Sequence, residues 1–135
     1  MTWAEGQELP SLGKVVTLEQ IAAYASASGD VNPVHLDPDF AAKSTFGRIV
    51  AHGMLGYAFV SEIMTHAFGH AWLESGKLRV RFRAPAYPGD QLTTYGKVTK
   101  VTTEAGKTTV QCAIGCRKQD GQDIVTGDAT VTLAS

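Results

Sequence analysis

Residues 29–36 read GDVNPVHL, and they place a carboxylate, an amide and an imidazole within six positions: Asp30, Asn32 and His35. Asp30 and His35 stand five apart across a turn, a separation that lets both side chains reach one point. A carboxylate and an imidazole facing one point can share a water molecule and move its protons, which is general acid–base chemistry. Asn32 can tie the backbone of the same loop through an Asx-type bond. The competing reading is a turn alone, because Asp, Asn, Gly and Pro all favour turns. A metal site is disfavoured, since no third ligand follows at a recognisable spacing.

A second feature is AHGML at 51–55. A helix that begins at Gly53 presents free N–H groups and a positive dipole end, and Gly allows close approach to that backbone. Such N–H groups suit an oxyanion. His52 reads as an oriented structural histidine rather than a base.

The elements that must hold these residues follow from spacing. Thr17-Leu18-Glu19-Gln20 has the form of a capping box, in which Thr17 accepts from the Gln20 N–H and Gln20 reaches back. Leu18, Ile21, Ala22 and Ala25 recur at helical spacing behind it, and Gly29 ends that helix. A loop through Pro33 follows. Asp37-Pro38 starts a short helix to about Lys43, with Asp as N-cap and Pro in the first turn. The longest apolar helix runs from Gly53 to about Phe68 and is apolar on most of its circumference, which predicts burial. His66 and His70 are four apart and read as helix-end cations.

Beyond Trp72 the period becomes two. Leu78, Val80 and Phe82 alternate with Lys77, Arg79, Arg81 and Arg83, so four cations line one strand face over roughly 20 Å. The next strand spans Leu92–Thr103. Val110, Cys112, Ile114 and Cys116 share a face of another, KQDGQD turns the chain, and Val125, Ala129, Val131 and Leu133 share a face of the last. Helices followed by antiparallel strands argue an α+β fold, with the long helix on one face of a sheet.

The 135 residues are 44% apolar and 19% charged with net charge −1, as expected of a single domain over 1–135, and no global charge points to nucleic acid or an anionic membrane. No stretch is apolar enough to span a bilayer, and the N-terminus lacks the pattern of a signal peptide. Cys112 and Cys116 lie roughly 13 Å apart on one strand, too far for a disulfide, so both read as reduced core thiols. A cytoplasmic location is the expectation.

Taken together, DVNPVH at 30–35, Asp37-Pro38, FAAKSTFGRIVAHGM and FRAPAYPGD resemble the MaoC-like, (R)-specific enoyl-CoA hydratase family over roughly residues 9–133. The resemblance implies a hot-dog fold, a long central helix wrapped by a curved antiparallel sheet, paired into a homodimer whose sheets join. It implies that Asp30 and His35 are the catalytic pair and that the Gly53 N–H polarises a thioester. Asn32 matches the motif asparagine, and Ser61 falls where relatives carry a serine near the acid. The implied reaction is reversible hydration of a trans-2-enoyl thioester of CoA or an acyl carrier, without cofactor or metal. Arg79 and Arg81 are then candidate contacts for the anionic end of CoA, against the alternative of a solvated sheet face; Lys43, Arg48 and Lys97 are open in the same way. An acyl-CoA thioesterase and a non-catalytic acyl-CoA-binding subunit are the alternatives, because fold does not determine function.

Overall fold

The computed structural model describes residues 2–134. Strand β1 (Leu12–Val15) leads into helix α1 (Leu18–Ser28). Thr17 caps that helix by accepting from the Gln20 N–H at 3.0 Å, and Gly29 ends it in the left-handed region at φ 79°. Only half of the expected capping box forms. Gln20 Oε1 is buried and finds no hydrogen-bond partner among the described residues, so the returning arm is not made. Ile21 and Ala25 are buried, whereas Leu18 is 57% exposed.

Two short helices follow, α2 (Pro33–Leu36) and α3 (Pro38–Ala42). The first falls where only loop is expected from sequence. It is one turn built by Asn32, whose Oδ1 accepts from the Val34 N–H at 3.0 Å, and by Pro33 in the first turn. Asp37 caps α3, accepting from the Asp39 and Phe40 N–H groups.

The long helix α4 (Gly53–Phe68) and α5 (His70–Ser75) are separated by Gly69 at φ 59° and ψ −134°. His66 and His70 therefore do not share a helix. His66 sits in the last turn of α4, while His70 opens α5 and pairs with Glu74 at 2.9 Å. Burial of α4 is one-sided rather than complete. Val60, Ile63 and Met64 are fully buried, but Met54 is 49% exposed.

Strands β2 (Lys77–Phe82), β3 (Gln91–Glu104), β4 (Lys107–Lys118) and β5 (Asp123–Ala134) join β1 in one antiparallel sheet of order β1-β3-β4-β5-β2. Arg83 lies just past the end of β2. β1, which hydrophobic period alone does not mark, pairs with β3 from Leu12↔Thr94 to Val15↔Gln91. The core forms where α4 lies on this sheet: Ile63 and Met64 join Val110, Cys112, Ile114 and Val131 in one buried cluster. Gly96 on β3 makes the contact close, since a Cβ there would stand 2.8 Å from Leu9 Cδ1 and 3.3 Å from Ile63 Cδ1. The result is the hot-dog arrangement. Both cysteines are free and buried, and burial pushes their thiols up, Cys112 to about 11 and Cys116, with Asp123 adding to the effect, to about 12. They are packing residues, not nucleophiles.

Candidate active site

The site grows from the end of α1. Once Gly29 has turned the chain, the Asp30 N–H donates to Ser28 Oγ at 3.2 Å, and Asp30 Oδ1 accepts from the Asn32 N–H at 3.3 Å. Asn32 then starts α2, which carries His35. The His35 Nδ1 lies 2.7 Å from the Val50 carbonyl oxygen. A carbonyl can only accept, so Nδ1 holds a proton, and in the neutral ring Nε2 keeps its lone pair. That Nε2 stands 3.9 Å from Asp30 Oδ2. The gap is too long for a direct hydrogen bond but fits one water donating to both atoms. The His35 side chain is 13% exposed and that of Asp30 54%, so the imidazole is enclosed while the carboxylate stands at the rim.

His35 lines a cleft of about 480 Å³ that also takes in His52, Gly53 and the first turns of α4. Among the described residues no side chain caps the start of α4, and Gly53 there is exposed. Phe82 of β2 covers one side: a Cβ on Gly53 would lie 3.2 Å from the Phe82 ring. Deeper in, the walls are apolar, with Val16, Leu55, Phe59, Leu92 and Ile124 among them.

The other residues singled out from sequence lie elsewhere. Ser61 is two turns further along α4, roughly 12 Å from Gly53, and its hydroxyl accepts from Trp72 Nε1 at 3.0 Å. Arg79 and Arg81 line a separate polar cleft of about 370 Å³ with Thr126 and Asp128. Arg83 belongs to both clefts and donates from Nε to Thr126 Oγ1 at 2.8 Å. Arg48 stacks over the Tyr87 ring at 3.8 Å. Three parts of the site are not legible as such in the sequence: the Val50 carbonyl, the Phe82 wall and the bridging position of Arg83. Each depends on a contact between elements distant in the chain.

Asp30, His35 and His52 bring one ligand atom each within 4.8 Å of one another. His52 thus stands as the third donor that spacing in the sequence does not mark, with His35 Nδ1 and His52 Nε2 each bonded to a backbone carbonyl and the other nitrogen of each ring left over. The arrangement suits proton transfer to and from a water held beside a helix N-terminus.

The MaoC like domain matches residues 4–120. The chain belongs to the MaoC-like family. It is 34% identical over 123 residues to the (R)-specific enoyl-CoA hydratase of Aeromonas caviae, covering 90% of each chain. It is 33% identical to the mitochondrial 3-hydroxyacyl-[acyl-carrier-protein] dehydratase of Arabidopsis thaliana, covering 89% of this chain and 72% of that one. The solved (R)-hydratase of A. caviae superposes on this MaoC-like chain with a TM-score of 0.83 at 29% identity, covering 96% of each.

Proposed function

We propose that this MaoC-like protein adds water reversibly across a trans-2-enoyl-CoA to give the (R)-3-hydroxyacyl-CoA. The observation that carries this reading is the pairing of Asp30 Oδ2 and His35 Nε2 across 3.9 Å, beside the uncapped start of α4. The pair holds one water against C3 of the enoyl group. As its oxygen bonds to C3, one proton passes to the pair and one returns from the pair to C2. Electron density displaced toward the thioester oxygen is met by the Gly53 N–H and the helix dipole. Asn32 holds the loop in register with His35.

The apolar depth of the cleft suits an unsubstituted acyl chain. A carboxylate buried against those apolar walls would be stripped of its water. Arg83 at the mouth leads from this cleft to Arg79 and Arg81, where the phosphates of CoA would find three guanidinium groups. The role for Ser61 is indirect, through its bond to Trp72 on α5. The chain acts as one domain, in the cytoplasm, without cofactor or metal. Among the described residues the outer edge of β2 is unpaired, and Phe82 on it is 55% exposed. A homodimer joined along β2 satisfies both; sedimentation as a monomer at micromolar concentration would exclude it.

The test uses crotonyl-CoA. Loss of the conjugated absorbance with no free thiol is the expected result. Release of free thiol instead identifies a thioesterase, and binding without either change identifies a non-catalytic subunit. In the same assay Arg79→Ala and Arg81→Ala raise KM and leave kcat unchanged.

A further inference from the structure

His52 stands immediately before α4 and is 3% exposed. Its Nε2 lies 2.9 Å from the backbone carbonyl oxygen of Asp30, so Nε2 carries the proton and donates. Its Nδ1 is buried and finds no hydrogen-bond partner among the described residues. Its ring lies on that of His35, with centroids 3.8 Å apart and planes 25° apart, and Tyr24 tilts against it at 4.9 Å. Its carbonyl accepts from the Leu55 N–H at 3.0 Å in the first turn of α4, and its peptide link to Gly53 supplies the first amide of that helix. One residue thus reaches the Asp30 main chain and the His35 ring with its side chain, and the helix start with its backbone. Neither ring nitrogen is available to a substrate, since one is bonded and the other buried.

We propose that His52 is a positioning residue for the hydration reaction, locking Asp30, His35 and the Gly53 amide into one rigid unit through its Nε2–H bond and its stack on His35. This rests on the functional reading above. The carbonyl of Asp30 is the only atom its donor serves, so the carboxylate is aimed through the main chain. The stack fixes the plane of the His35 ring, whose Nε2 stands 3.9 Å from Asp30 Oδ2. A displacement of reacting groups by about 1 Å costs on the order of 10²-fold in rate, which sets the scale of what this unit protects.

Two variants separate the two contacts. His52→Gln keeps an amide N–H at a similar reach and gives up the stack. His52→Phe keeps an aromatic ring and gives up the donor, leaving the Asp30 carbonyl unpaired. With crotonyl-CoA, His52→Phe is expected to lose about 10²-fold in kcat with KM nearly unchanged, and His52→Gln to recover a substantial part of that loss. Thermal melts run alongside establish that each variant is folded. If kcat is equal in the three proteins, or if both variants lose stability but turn over normally per folded molecule, the role of His52 falls. An inactive wild-type protein defeats the hydratase reading instead. A measurement free of activity is the nitrogen-15 spectrum of the imidazoles. It is expected to show His52 protonated on Nε2 and His35 on Nδ1, and a His52 proton on Nδ1 overturns the arrangement whatever the enzyme does.

Discussion

At the scale of the residue, the proposed chemistry rests on two bonds to main-chain carbonyls. Val50 dictates which nitrogen of His35 faces Asp30, and Asp30 itself is held by the Asn32 N–H and by His52. In the proposed mechanism the carboxylate and the imidazole act on one water, so removing either leaves its partner without a way to complete the proton circuit. Asp30→Asn and His35→Ala are each expected to lower kcat by about 10²- to 10⁴-fold. The melting temperature should barely move for Asp30→Asn, since that side chain is half exposed and makes one weak bond within its own turn. Steady-state rates with crotonyl-CoA and a thermal melt on the same samples check both halves. Full activity in either variant would remove that residue from the mechanism.

At the scale of the element, β2 is both an edge strand of the sheet and the wall that carries Phe82 and leads to Arg83. Its seat against β5 depends on Gly127, which lies opposite Val80. A Cβ at Gly127 would run into the carbonyl oxygen of Arg79 and stand 2.9 Å from Val80 Cα. These are backbone atoms of a paired strand and cannot swing aside as a side-chain tip can. Gly127→Ala is therefore expected to destabilise the protein by about 2–3 kcal/mol, in the range of core overpacking. The urea midpoint should fall accordingly, and hydration should weaken as Phe82 moves off Gly53. An unchanged midpoint would mean that β2 is not held as described.

At the scale of the whole molecule, Asp90 ties together segments far apart in sequence. Its carboxylate accepts from the Tyr87 N–H at 2.8 Å and from Gln119 Nε2 at 3.1 Å, and pairs with Lys118 Nζ at 3.3 Å. Its carbonyl accepts from the Val16 N–H ahead of α1. Burial pushes the carboxyl up, but the Tyr87 N–H, the Gln119 amide and the Lys118 ammonium outweigh it and hold Asp90 below its ordinary value of 3.8. A carboxyl lowered in the folded state contributes stability that is complete above the unfolded value and is lost as pH falls through the folded one. Asp90→Asn is thus expected to cost about 2 kcal/mol near neutrality. That difference should begin to shrink near pH 3.8 and vanish below the native value. Denaturant titrations of both proteins at pH 7 and pH 3 check it, and a gap that is constant with pH would refute the ionic role.

Much of this protein is legible in its chain because the signals are local. The Thr17 cap, the Gly29 stop, the Asp37-Pro38 start and the alternation of Val110, Cys112, Ile114 and Cys116 each specify an element from a few neighbouring residues. The motif around Asp30 and His35 is likewise contiguous, so the candidate dyad can be named before any coordinates. What needed the folded molecule are the contacts between distant segments. Val50 reaches His35 across 15 residues, and His52 reaches Asp30 across 22. Arg79 and Arg81 face a different cleft from Gly53, because successive side chains on β2 point to opposite faces and only the end of the strand reaches both. Ser61 turns to Trp72 because the break at Gly69 folds α5 back along α4. Hydrophobic period and capping chemistry act over one or two turns of chain, whereas the orientation of a side chain is decided by whatever the rest of the fold brings against it.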